Sequence, residues 1–332
     1  DQVLARRAPL VTTETLPLNA SSQSPAAVGA YGLEKSFGRV RVVRGVDLEV
    51  QPGHLIGLIG PSGCGKTTLI RLLAGLAKPD HGEARLLGKD PLRRTPNERA
   101  QMGYMPQGAA LFPNLTVMQN AKFTAGLYGL GWLSRRKRIR ELLDYFELWD
   151  ARNRRASETS GGMQRRTAMA CAVIHRPDVV FVDEPTAGLD PILRAKIWDY
   201  LHGLRDGGTT IVLTTQYVEE AVYCDQVAVM LEGRIVTCGT PEELRREAFQ
   251  GETAEVTGDD FTAGDMDALG TLAQVRAVER HQSGIRLIVD DLSTATPAIT
   301  QLLFDRGKHI HSVAQGLPTF DEVFTELIRR HG

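Results

Sequence analysis

Cysteine is scarce and scattered. Its four residues, Cys64, Cys171, Cys224 and Cys238, form no CxxC pair, so neither a zinc ribbon nor a disulfide framework follows. Long apolar runs are missing as well: none approaches the roughly 18 residues of a spanning helix, and the first residues lack the continuous apolar core of a signal peptide. The expectation is a cytosolic chain on which Asn19-Ala20-Ser21 is a chance sequon, because glycosylation needs a secretory context. An excess of one charge is also absent, since 39 Lys and Arg against 40 Asp and Glu leave a net charge of −1. Without a basic field, no nucleic-acid partner is expected. The run Arg135-Arg136-Lys137-Arg138 reads as a solvated helix face, with a partner surface as the alternative. What remains is globular: 332 residues, 42% hydrophobic and 24% charged, suit a main domain with a smaller appendage.

Periodicity divides the chain. Residues 1 to about 28 are rich in Ser, Thr, Pro and Ala with neither helical nor strand period, and are expected to be a disordered tail. Residues 40–43 and 46–50 alternate around Gly45 and read as antiparallel strands. Residues 54–59 are an apolar run leading through a Gly-rich turn into helical spacing from Thr68 to Leu76. A mostly helical insertion spans about 112–175. Residues 179–182 and 210–213 are continuous apolar runs of the kind found in parallel strands buried on both faces. A hairpin turning at Glu232-Gly233 and a helix begun by Pro241 close this domain, assigned to 29–248. The segment 250–332 reads as strand, helix, strand, strand, helix, strand, helix. With a turn at Ser283-Gly284, a small α+β sandwich of ferredoxin-like topology is expected there.

Two constellations carry chemistry. Gly60-Pro61-Ser62-Gly63-Cys64-Gly65-Lys66-Thr67-Thr68 fits G-x-x-x-x-G-K-[ST] between a strand and a helix, the context that a phosphate-binding loop requires. Its glycines let backbone N–H groups turn toward phosphates, the helix N-terminus adds partial positive charge, Lys66 bridges the outer phosphates, and Thr67 offers a hydroxyl to Mg²⁺. Downstream, the apolar strand 179–182 ends in Asp183-Glu184, which places two carboxylates at the carboxyl end of a parallel sheet. Asp183 is expected to hold the Mg²⁺, and Glu184 to orient or deprotonate the water that attacks the γ-phosphate. A nucleoside triphosphate and Mg²⁺ are the cofactors expected.

Together these mark a P-loop NTPase with a RecA-like α/β core, an antiparallel β subdomain and a helical subdomain. What lies between them narrows the family. Thr159-Ser160-Gly161-Gly162-Met163-Gln164 resembles the LSGGQ signature of ABC ATPases, and the resemblance covers about residues 31–245. It implies that the nucleotide is ATP, that Gln107, in Tyr104-Met105-Pro106-Gln107, is the Q-loop glutamine contacting the metal, that Asp190 belongs to the D-loop, and that Phe37 stacks on adenine. It further implies that Ser160, Gly161 and Gly162 bind the nucleotide of a second ATPase subunit, in a homodimer or a heterodimer. Separate transmembrane permease subunits would then be driven from the cytoplasmic face of the inner membrane. Three positions depart from the family: Thr159 and Met163 replace Leu and Gln of the signature, and Gln216 stands where a switch histidine is usual. A glutamine can hydrogen-bond the γ-phosphate but carries no proton or charge.

Leu111 to Val117, Gly126 to Leu130, the Ser-Gly-Gly-Met signature, Thr214 to Tyr217 with Glu219-Glu220-Ala221, and Phe320 to Phe324 resemble ATPases of the daunorubicin-resistance type. These are drug and polymer exporters, so an exporter motor is implied. An importer ATPase with a regulatory C-terminal domain, a soluble ABC protein of translation or repair, and a P-loop kinase or GTPase are the alternatives. The last lacks any reason for a Ser-Gly-Gly signature. The C-terminal segment carries no second catalytic constellation and is assigned to dimer contacts or regulation.

Overall fold

In the computed structural model, residues 25–108, 110–281 and 284–331 are described; residues 1–24 of the expected tail, and Ser283 of the expected turn, lie outside them. Strand β1 (Val28–Phe37) is followed by β2 (Val40–Val50), β3 (Leu55–Ile59), α1 (Lys66–Leu73) and β4 (His81–Leu86). The expected tail therefore ends too late at 28. Ala27 is already buried, its N–H donating to Val50 O at 2.9 Å. Residues 40–43 and 46–50 belong to one strand rather than two. A single glycine cannot reverse a chain, because the tightest hairpin needs two loop residues. Gly45, at φ 70°, instead makes a bulge where Leu33 faces Val46 and Glu34 faces Arg44. The antiparallel partner is β1, in a small sheet of order β2-β1-β4.

The main domain continues with α2 (Pro96–Arg99), β5 (Met102–Met105), α3 (Val117–Leu127), α4 (Trp132–Tyr145), α5 (Gly161–Val173), β6 (Val179–Asp183), α6 (Pro191–Asp206), β7 (Thr210–Thr215), β8 (Gln226–Leu231), β9 (Arg234–Gly239) and α7 (Pro241–Phe249). Its sheet has the order β5-β6-β7-β3-β8-β9, with β9 antiparallel to β8 and the other neighbours parallel. Side chains alternate across each strand. Val180 and Val182 of β6 and Ile211 and Leu213 of β7 enter the core shared with the helical insertion. Val179, Phe181 and Val212 enter the core shared with α1 and the antiparallel sheet. Both faces are covered, which is why these strands are continuously apolar, each fully buried side chain contributing about 1.5–3 kcal/mol. The insertion starts at a capping box, Thr116 with Gln119, and α7 at another, Thr240 with Glu243, so each helix start is written in its own sequence.

The C-terminal segment contains β10 (Glu252–Gly258), α8 (Ala263–Leu269), β11 (Val275–His281), β12 (Gly284–Val289), α9 (Leu292–Asp305), β13 (Ile310–Gln315) and α10 (Phe320–His331). All neighbours in its sheet are antiparallel, in the order β11-β12-β10-β13. This is the ferredoxin-like arrangement, with a core formed by Ala254, Val256, Leu287, Ile299 and Leu303 among others. The last helix does not belong to it. Phe320, Val323 and Leu327, spaced to share one face of α10, enter the core of the main domain against α7 and the turn Val218–Tyr223. The division at residue 250 therefore separates α10 from the domain that buries it. That apolar face needs a partner, and α8 and α9 already occupy the segment's own core.

Candidate functional site

The phosphate-loop motif sits where central strand β3 ends, between β7 and β8. Backbone crowding selects its glycines: a Cβ on Gly60 would stand 2.1 Å from Met230 O, and Gly65, at φ 110°, would put one 2.6 Å from Val42 O. Gly65 is also the N-cap of α1 and provides no side-chain cap, so the first N–H groups of the helix remain available to an anion. Lys66 is buried, and its ammonium donates to Gly60 O at 2.7 Å and Pro61 O at 3.0 Å. Burial pushes the Cys64 thiol up, against the pull of the Lys66 charge.

Asp183 and Glu184 leave the end of β6 in different directions. Asp183 is completely buried. Its Oδ1 accepts from Thr67 Oγ1 at 3.1 Å and Thr214 Oγ1 at 2.5 Å, while Oδ2 is buried with no hydrogen-bond partner. An unpaired oxygen on a buried carboxylate is costly unless a cation or donor meets it. Beside the Thr67 hydroxyl, it suits the hard, oxygen-seeking Mg²⁺. The residues present therefore fit the metal. Glu184 adopts a left-handed backbone at φ 52°, an uncommon conformation for a non-glycine residue that clusters at functional sites. Its N–H donates to both Thr214 O and Thr214 Oγ1 at 3.1 Å. The Glu184 carboxylate accepts from Gln107 Nε2 at 3.0 Å, so Gln107 is joined directly to the expected base.

The other expected residues make no hydrogen bond to this centre among the described residues. Ser160 caps α5, accepting from Met163 N at 3.3 Å, and is exposed with Gly161. Thr159 is buried where the family has Leu, its hydroxyl donating to Ala156 O at 2.7 Å, so the substitution leaves no unsatisfied polar group. Asp190 caps α6 through Ile192 N and Leu193 N. Phe37, 55% exposed, presents its ring at the end of β1 with the Lys35 ammonium 5.7 Å from its centroid. Gln216 is exposed just beyond β7. Its neighbours are pinned: Thr215 Oγ1 donates to buried Glu220 Oε2 at 2.5 Å, and Tyr217 N donates to Thr215 Oγ1 at 3.0 Å.

Several functional contacts were not foreseen. Thr214 donates to the Asp183 carboxylate and accepts the Glu184 backbone N–H at once. Arg165, on α5, reaches Gln107 O at 3.2 Å and also donates to Ala187 O, tying the Q-loop to the segment before Asp190. Arg194, on α6, approaches Glu220 Oε1 at 3.8 Å and covers the Tyr217 ring. Only Thr214 left a trace in sequence, as a polar residue directly after the apolar run 211–213.

Comparison with known proteins agrees with this geometry. The ABC transporter family model matches residues 43–187, and the model for the DrrA1-3-like ATP-binding protein C-terminal domain matches 239–328. The daunorubicin resistance ATP-binding protein DrrA3 of Streptomyces coeruleorubidus is 38% identical over 302 residues, covering 91% of this chain and 95% of that protein. Nod factor export ATP-binding protein I of Paraburkholderia xenovorans is 40% identical over 239 residues, covering 72% of this chain and 79% of that protein. Among solved structures, a dimeric post-hydrolysis ATP-binding cassette bound to ADP and Pi matches with TM-score 0.60 and 26% identity, covering 64% of this chain and 98% of that one. No helix of the described residues is long and apolar enough to cross a membrane. The chain thus belongs to the ABC transporter family, as an ATP-hydrolysing motor subunit related to the daunorubicin-resistance ATP-binding proteins.

Proposed function

We propose that this subunit powers export through separate permease subunits at the cytoplasmic face of a membrane, by closing on a second ATPase subunit around ATP. The observation carrying the reading is buried Asp183, with one oxygen engaged by Thr67 and Thr214 and the other unpaired beside the phosphate loop. The free N–H groups at the start of α1 and the Lys66 ammonium bind and orient the triphosphate. Thr67, Asp183 and Gln107 would hold Mg²⁺, which would supply charge neutralisation at the phosphates. Glu184, oriented by Gln107, positions the attacking water and accepts its proton. Phe37 stacks on the base. Ser160 and Gly161, exposed at the start of α5, and half-buried Gly162 supply N–H donors to the nucleotide of the second subunit, while Asp190 shapes the facing surface. Gln216 contributes a hydrogen bond to the γ-phosphate.

Export rather than import rests on the relatives, whose names concern drug resistance and Nod factor export. The C-terminal segment is assigned to dimer contacts or regulation because it carries no second catalytic constellation. Glu184→Gln is expected to lower ATP turnover by about 10²–10⁴-fold, the usual worth of a positioned base, while ATP still draws two copies together. Lys66→Ala is expected to lose nucleotide binding. Full turnover in Glu184→Gln, or unchanged nucleotide affinity in Lys66→Ala, refutes the assignment.

A further inference from the structure

The C-terminal sheet ends at β13, which among the described residues pairs with β10 alone. Their register is broken at one point: Thr257 faces Ser312 and Gly258 faces Ile310, so His311 is an extra residue with no counterpart on β10. A bulge bends the strand and re-aims its side chain. The close approach of the two segments depends on Gly258, where a Cβ would stand 2.4 Å from His309 O. The Asp259 N–H then donates to that same carbonyl at 3.1 Å. As a result, Asp259, His309 and His311 present one ligand atom each, all within 4.8 Å of one another. His311 Nε2 lies 3.2 Å from Asp259 Oδ2, and the two imidazoles, 5.6 Å apart, are inclined at 68° rather than stacked.

We propose that Asp259, His309 and His311 bind a divalent transition metal ion of the Zn²⁺, Ni²⁺ or Cu²⁺ class, stapling the end of β10 to the bulge of β13. Two imidazole nitrogens with one carboxylate suit those ions, whereas Mg²⁺ and Ca²⁺ favour all-oxygen sets. With metal–ligand bonds of about 2.0–2.1 Å, tetrahedral ligands stand roughly 3.3 Å apart. The His311–Asp259 separation of 3.2 Å already meets that, and the His309 ligand atom lies within 4.8 Å of both. Neighbouring cations are engaged elsewhere: Lys308 Nζ lies 2.9 Å from Asp265 Oδ2 and donates to Asp260 O, and Arg306 is bound by Asp265. All three ligand residues are exposed, so an ion enters directly. Three protein ligands leave coordination open to water or to a group from another molecule.

The test is calorimetric titration of Zn²⁺ into the full-length, nucleotide-free protein. One Zn²⁺ per chain is expected at this site. His309→Ala or His311→Ala should weaken it by more than the 10–100-fold that loss of a mere outer-shell partner costs, and the double variant should abolish it. ATPase activity and circular dichroism should stay unchanged in all of them. Asp259→Ala approaches the same site from the other strand and should weaken it in the same way. Absence of stoichiometric Zn²⁺ binding by the parent overturns the proposal, as does a double variant that binds the same number of ions with the same affinity.

Discussion

Replacing Thr214 with valine removes one hydroxyl while nearly preserving shape, and the structure limits what that hydroxyl does. It donates to Asp183 Oδ1 at 2.5 Å and accepts the Glu184 N–H at 3.1 Å. The second role is duplicated, because the Glu184 N–H also reaches Thr214 O at 3.1 Å, so the backbone at Glu184 stays anchored. The first is not: Asp183 has no exposure to water, and only the Thr67 hydroxyl would remain on Oδ1. A hydrogen bond to a charged group contributes about 1.5–3 kcal/mol. At about 1.4 kcal/mol per decade, its loss corresponds to about 10–150-fold in metal affinity or turnover. Thr214→Ser keeps the hydroxyl and should remain near the parent. The assay is steady-state ATP hydrolysis titrated with Mg²⁺ at saturating ATP, with thermal unfolding as the control for fold. Thr214→Val should require more Mg²⁺ for half-maximal rate and turn over more slowly. A folded Thr214→Val protein with the parental Mg²⁺ dependence and rate would show that Thr214 does not position Asp183, and the reasoning would fail.

Leu327→Ala truncates a buried side chain of α10 within the main-domain core. It should cost about 2–5 kcal/mol in chemical denaturation; a loss below 1 kcal/mol would mean that α10 is not held there. Asp265 concerns pH. Burial alone would raise its carboxyl, but Thr262, Arg306 and Lys308 outweigh that and hold it well below the usual range. A depressed carboxylate contributes stability in full above its unfolded value, about 4, and loses it as pH falls through the folded value. Asp265→Asn should therefore destabilise the C-terminal domain by about 3 kcal/mol at pH 7, with the gap to the parent narrowing below about pH 4. An equal gap at pH 7 and pH 3 would contradict this.

The amino-acid sequence by itself determined whatever depends on neighbours along the chain. The phosphate loop is contiguous, with glycines set by its own turn. Asp183 and Glu184 follow directly on an apolar strand, and the caps at Thr116 and Thr240 mark their helices through side-chain bonds three residues away. Strand order within the C-terminal sandwich also followed from element order, because short connections leave few topologies. Only the tertiary structure decided what joins distant segments. Thr214 lies 31 residues from Asp183 and Arg165 lies 58 from Gln107, and no periodicity signals either contact. The docking of α10 was invisible because an apolar stripe says that a helix is buried but not against what. The grouping of Asp259 with His309 and His311 depends on a one-residue bulge between strands separated by an entire helix–hairpin–helix excursion. A register shift of that kind arises from packing and backbone approach between strands, neither of which a single strand's own residues specify.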